Sequence, residues 1–214
     1  MVFGDASTWF VGLRDVHEEV VAVILHVWPH VASKFTAASK EDKITDRLVV
    51  EIRRHIDGRH KWLVQREHQL LPVDEKGEIK EKPRIDIAVF FTREQKVYIA
   101  YECKRLHVRF PSGFSDLADR YVNDGMMRFL SGKYAPGLLF GVVLGYVMDS
   151  NVLGALQNVR NAIHKRETQL RCNKIIEELP DAGAMKRMCT SHNIKKLGPL
   201  PFTMQHGFLP LVVS

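Results

Sequence analysis

Two apolar runs joined by a short polar stretch constrain this chain more than any other feature. The first is Arg84-Ile85-Asp86-Ile87-Ala88-Val89-Phe90-Phe91; the second is Val97-Tyr98-Ile99-Ala100-Tyr101-Glu102-Cys103-Lys104. Folded about Glu94, they make a hairpin whose opposed residue numbers sum to 188. Ile85, Ile87, Val89 and Phe91 then oppose Cys103, Tyr101, Ile99 and Val97, apolar at every step. The same register sets Asp86 opposite Glu102 on the other face, and Lys104, two residues on, shares that face. Strand side chains alternate with period 2, so a slip of one residue would invert the whole set. The turn at Arg93-Glu94-Gln95 has none of the Asn-Gly or Gly signals that pin short hairpins, so the apolar match alone sets the register. Ala88, Phe90, Tyr98 and Ala100 make the acid-bearing face half-buried; the bland alternative is a solvated face with Glu102 and Lys104 as surface charges.

Carboxylates opposed across a strand pair repel, and a divalent cation between them removes the conflict. Carboxylate oxygens suit a hard cation such as Mg²⁺ or Mn²⁺. Such a cation polarises a phosphoryl group and lowers the pKa of a bound water, and a nearby ammonium orients that water or offsets charge on the phosphate. Asp86 with Glu102-Cys103-Lys104 therefore resembles the signature of the PD-(D/E)xK nuclease superfamily, with Ile85 where that family usually has Pro. The resemblance implies a restriction-endonuclease-like α/β fold: a mixed central sheet flanked by helices, core order αβββαβ. It also implies Asp86 and Glu102 as metal-holding catalytic acids and Lys104 as the catalytic lysine. In the family the middle residue often ligates through its carbonyl, which brings in Cys103. An acid on the helix before the first strand often joins the metal, which brings in Glu51; the alternative for Glu51 is a surface pair with Arg47 or His55.

Helical stripes run through residues 8–28, with Ser7 or Thr8 as cap and Pro29 near the stop, and through 41–57, closed by Gly58. A strand around 62–71 and a polar turn at 74–77 precede the hairpin. A helix capped by Ser115 runs to Leu130, residues 137–148 read as a buried central strand, and 151–170 read as one further helix. The proline-marked tail offers short strands near 190–194 and 202–213. The expectation is one domain over 1–214, with a core at about 41–148 and the helix 8–28 and tail 172–214 as additions.

The chain has 31 basic and 25 acidic residues, a net charge of +6, which permits a nucleic-acid partner without requiring one. Arg105, His107 and Arg109, leaving the catalytic strand, and Arg128 on the next helix are candidates to hold phosphate; a solvated exit loop is the plain alternative for the first three. Arg53, Arg54, Arg59, His60 and Lys61 form a second basic cluster that also reads as the polar side of a helix end. Cys189 and His192 offer only one short ligand pair, too few for a structural zinc. No Walker loop and no Gly-x-Ser-x-Gly elbow occurs. Three cysteines without a disulfide framework, no long apolar span and no basic start ahead of Asp5 lead to the expectation of a cytoplasmic protein with no membrane partner. The reading is a metal-dependent endonuclease acting on DNA, in restriction or anti-phage defence, with partner subunits or self-association left open. The alternative is an inactive nuclease-fold subunit that binds nucleic acid or a protein.

Overall fold

The apolar stripes of the first third of the chain become two packed helices. The structure, a computed structural model, describes residues 6–58, 60–69, 84–91, 97–134, 139–194 and 200–212. The expected turns at 93–95 and 74–77, Arg59 and residues 137–138 lie outside these. Helix α1 (Ala6–Ala32) runs past Pro29, which falls in its last turn, where the Pro29 carbonyl still accepts from Ser33 N at 3.1 Å. Helix α2 (Glu41–His55) buries Ile44, Leu48, Val49 and Ile52. Its first turn carries Glu41 and Asp42 and its last Arg53, Arg54 and His55, the charge order that the helix dipole favours.

Strands β1 (Leu63–Gln69), β2 (Arg84–Phe90) and β3 (Tyr98–Leu106) follow, then a small hairpin of β4 (Val108–Phe110) and β5 (Gly113–Ser115). A helix with a π-helical middle comes next: α3 (Ala118–Arg120), the π turn Tyr121–Met126 and α4 (Met127–Leu130). Ser115 belongs to β5 and does not cap this helix; Leu117 stands at the cap position, and Asp116 Oδ1 just before it accepts from Ala118 N at 3.0 Å. After β6 (Phe140–Val147), the helix expected over 151–170 is two, α5 (Val152–His164) and α6 (Glu167–Leu170), and Arg171 leaves the second at φ 49°. The tail is more ordered than its prolines suggest. It forms β7 (Cys172–Ala182), β8 (Met185–His192) and β9 (Phe202–Pro210).

These strands make one seven-stranded mixed sheet, ordered β1-β2-β3-β6-β9-β8-β7, with β3, β6 and β9 parallel. Its fourth strand, β6, is buried at all eight residues, as its unbroken apolar run requires. One face packs under α1 and α2 through Ile87, Val89, Ile99, Tyr101, Val142 and Leu144. The other packs under the π-containing helix and α5 through Ala88, Phe90, Ala100, Val143, Met204 and Phe208. The fold is therefore mixed α/β, a central sheet flanked by helices. Among the described residues no helix is long and apolar enough to cross a membrane.

The β2–β3 ladder pairs Ile87 with Tyr101, Ala88 with Ala100, Val89 with Ile99 and Phe90 with Tyr98, the 188 register. It stops there. The expected Ile85–Cys103 pairing is not made, and Ile85 packs in the cluster on the opposite face from Ile87. On the other side of β2, Glu67 sits at φ 55° and interrupts the β1 ladder opposite Asp86. Strand β2 thus leaves regular pairing at Asp86, and the candidate acids stand where two strands part.

Candidate active site

Where β2 and β3 separate, a side chain replaces the ladder. Asp86 Oδ2 accepts from the Cys103 backbone N–H at 2.9 Å. From β1, Arg66 donates to the Asp86 carbonyl at 3.0 Å and stands 3.7 Å from its Oδ1. Arg66 is itself bound to Asp46 at 3.0 Å, so Asp86 is fixed from both neighbouring strands.

Glu102 is fully buried. Burial, and next the repulsion of Asp86, push its pKa up from 4.5 to about 7, against the pull of Lys104 and Arg128. Lys104 Nζ donates to Glu102 Oε1 at 2.6 Å, to the Cys103 carbonyl at 2.9 Å and to Glu41 Oε1 at 3.3 Å. Burial disfavours the ammonium, but Glu102 and Glu41 outweigh it and raise the Lys104 pKa. Arg128 approaches Glu102 at 3.3 Å, and Tyr134 holds it, accepting from Arg128 Nη1 at 2.6 Å while donating to the Arg84 carbonyl. Gly125 in the π turn packs the helix on this group: a Cβ there would make ordinary contacts with Lys104 Cγ and Val143 Cγ1 at 3.5 Å and Glu102 Cγ at 3.9 Å.

The structure does not bring every expected residue here. Glu51 points away and pairs with Arg47 at 2.7 Å and Arg54 at 3.0 Å, with His30 at 3.7 Å. The acid that α2 does deliver is Glu41, at the helix start, with Oε2 accepting from Arg105 N at 2.8 Å. The Cys103 thiol is core, and burial raises its pKa. His107 was expected to meet phosphate but is buried, with Nδ1 3.0 Å from Asp149 and Nε2 accepting from Asn158 at 3.1 Å. Arg109 is exposed on β4. Cys189 and His192 are likewise core residues, His192 being committed to Thr190 and the Leu170 carbonyl.

Arg105, whose guanidinium donates to the Ser39 carbonyl at 2.9 Å, and Arg128 both line a cleft of about 750 Å³ that opens beside Lys104. Lys40, Arg120 and Lys133 line it too, against the acids Glu41, Asp42 and Asp124. Arg105 and Arg128 were foreseen, but sequence reasoning missed Glu41, Arg66 and Tyr134 and, on the rim, Lys40, Arg120 and Lys133. The charged group Lys40-Glu41-Asp42-Lys43 at a helix start was the signal available for Glu41.

Among the described residues, no three His, Cys, Asp or Glu side chains gather closely enough to hold a metal ion as they stand. The donor chemistry nonetheless suits a hard cation: two carboxylates and the Cys103 carbonyl are all oxygen, and Mg²⁺ takes one or two protein carboxylates and keeps waters. The Lys104 ammonium now touches two of these donors, Glu102 and the Cys103 carbonyl. A cation on Glu102 therefore competes with Lys104 and Arg128. Searches of family models, curated proteins and solved structures give no match to this chain.

Proposed function

We propose that this chain is a PD-(D/E)xK-type, metal-dependent endonuclease with a restriction-endonuclease-like fold, hydrolysing phosphodiester bonds in DNA. The observation that carries the reading is the fully buried Glu102 held against Lys104, with Asp86 on the adjacent strand, beside a cleft whose rim is mainly basic. Burying a carboxylate with a second acid as neighbour is costly for a structural purpose alone. It suits a site that takes up positive charge.

Bound Mg²⁺ or Mn²⁺ supplies Lewis acidity at the scissile phosphate and a more acidic water. Asp86 and Glu102 would hold it, with the Cys103 carbonyl as a further oxygen donor. Arg66 fixes Asp86 from behind, and Glu41 tethers Lys104 and the Arg105 backbone. Lys104 orients the attacking water, whose oxygen bonds to phosphorus as the P–O3′ bond breaks, and it offsets the charge that develops on the phosphoryl oxygens. Arg105, Arg120, Arg128 and Lys133 receive the flanking phosphates. A compact nuclease of this kind fits restriction or anti-phage defence alongside separate protein subunits.

The test pairs cleavage with binding on linear, circular and single-stranded DNA. Asp86→Asn is expected to abolish cleavage and to leave salt-sensitive DNA binding largely intact, since the phosphate contacts come from other residues. Undiminished cleavage by Asp86→Asn removes the site.

One observation favours a second reading, an inactive nucleic-acid-binding subunit: Lys104 and Arg128 already neutralise Glu102 without a metal. Mn²⁺ titration separates the two. Uptake that disappears in Asp86→Asn supports the enzyme, and no uptake supports the subunit.

A further inference from the structure

The β4–β5 hairpin, which leaves the catalytic strand, is built unlike the rest of the surface. Arg109 pairs with Phe114 and Phe110 with Gly113. Cross-strand partners share a face, so Arg109 and Phe114 lie side by side on one face and Phe110 lies on the other. Phe114 is 51% exposed and Phe110 39%. Arg109 is exposed and, among the described residues, pairs with no acid.

A ribbon this short cannot hold its own shape and depends on what lies beneath it. Here the base is His107, buried at 3% exposure. The Asn158 amide donates to His107 Nε2, which places the ring hydrogen on Nδ1, facing Asp149 at 3.0 Å. The His107 N–H donates to the Asp116 carbonyl at 3.1 Å and closes the neck of the ribbon. The chain enters and leaves it in the left-handed region, at His107 (φ 55°) and Leu117 (φ 57°), a conformation that non-glycine residues adopt only where their surroundings hold them. The Phe114 ring stands edge-on to His107 with centroids 5.3 Å apart, so it too is fixed. Arg105, just before this neck, and Leu117, just after it, both line the basic cleft. Two exposed rings and an arginine are therefore carried on a hairpin whose two ends border the cleft.

We propose that the β4–β5 hairpin is a base-stacking platform: an unpaired nucleobase of a single-stranded segment lies on Phe114 beside Arg109, while the adjoining phosphates run into the cleft. The proposal rests on the nucleic-acid reading above. A phenyl face engages the π-face of a base, and that face is hidden in a stacked duplex, so the occupant is unpaired. The basic rim matches the polyanion that carries the base. A ring already held by His107 loses little freedom when a base lands on it.

The test is fluorescence anisotropy in EDTA, so that nothing is cleaved, with a labelled oligodeoxythymidylate and a labelled blunt duplex. Phe114→Ala is expected to weaken the single strand by about tenfold, the usual cost of losing one aromatic–base stack, and to leave the duplex unchanged. Phe114→Trp is expected to restore binding, and its indole emission to fall as the single strand is added. Single-strand affinity equal to wild type in Phe114→Ala, equal losses on both probes, or an unquenched indole in Phe114→Trp overturns the platform; binding by the wild type in those same titrations leaves the nucleic-acid reading standing. A wild-type protein that binds neither probe at low salt overturns both.

Discussion

Two of the places where this sheet buries polar groups are built on opposite plans. Beside β8 and β9, a chain of neutral groups satisfies itself. His192 Nδ1 donates to the Leu170 carbonyl at 3.0 Å, leaving Nε2 to accept from the Thr190 hydroxyl at 2.7 Å. That hydroxyl accepts from His206 Nε2 at 2.9 Å, and His206 Nδ1 stands 3.0 Å from the Tyr121 hydroxyl, which also meets the Val143 carbonyl at 3.1 Å. All four residues are buried, and none of them lines the cleft beside Lys104. At the β2–β3 junction the buried group is a carboxylate, and its partners are long cationic side chains from a cleft wall. A network whose members satisfy one another only holds the fold. A buried charge whose partners are long, flexible and replaceable is poised to exchange them.

The largest effect should come from the replaceable partner. Lys104→Ala is expected to fold and to lower single-turnover cleavage at saturating metal by about a hundredfold or more. Lys104→Arg should fail as well, because a planar fork does not reproduce a compact ammonium. Wild-type rates in Lys104→Ala would mean that Lys104 only neutralises Glu102.

Thr190→Val breaks the other plan. It strands two imidazole nitrogens in the core and should cost about 2–3 kcal/mol in urea denaturation, with cleavage per folded molecule retained. If cleavage falls while stability holds, the two regions have been assigned the wrong way round.

The contrast also has a pH signature. Burial pushes the pKa of His206, and of His17 on α1, down from 6.5 to about 3. Both are neutral when folded and take up protons on unfolding in mild acid. Their contribution is complete above pH 6.5 and is lost as pH falls from there toward about 3, at up to about 1.4 kcal/mol per pH unit for each. Stability measured between pH 6.5 and 4.5 should decline accordingly; a flat profile would place solvent at one of these rings.

The smallest effect belongs to Glu51. Its side chain, 12% exposed, is paired with Arg47 and Arg54 away from the site, so Glu51→Ala should leave cleavage unchanged, whereas Glu41→Ala should reduce it. Equal losses in both variants would return Glu51 to the site.

The pairing of Ile87–Phe90 with Tyr98–Tyr101 was legible because period-2 alternation leaves a single apolar register, whereas the opposition of Asp86 to Glu102 lies beyond the end of that ladder. The departure at Ile85 was not legible, because the capture of the Cys103 N–H by a side chain has no hydrophobic signature. Glu51 was preferred for lying near the apolar stripe of α2, but the site sits at the end of β3, and it is the start of α2 that meets it. Ten residues separate Glu51 from Glu41, about 15 Å along a helix. His107 looked like one more base in a basic run, and only the packing of Asp149 and Asn158 distinguishes it. In the tail β9 was legible, but β7 and most of β8 were not: Arg187, Thr190, His192, Gln205 and His206 are buried, so polarity does not report burial there.

The position of β9 has a kinetic consequence. It carries residues 202–210, the latest strand in sequence, yet it lies between β6 and β8 and hydrogen-bonds to both. Until it inserts, β6 presents an open, wholly apolar edge, the kind of template on which other chains pair and aggregate. As the polypeptide emerges, α1 through β6 can collapse, but the sheet cannot close before residue 210 is free to dock. Assembly is therefore governed by a late, long-range step, slow for a chain of this size. A nascent chain stalled before β9 should need a chaperone to stay soluble.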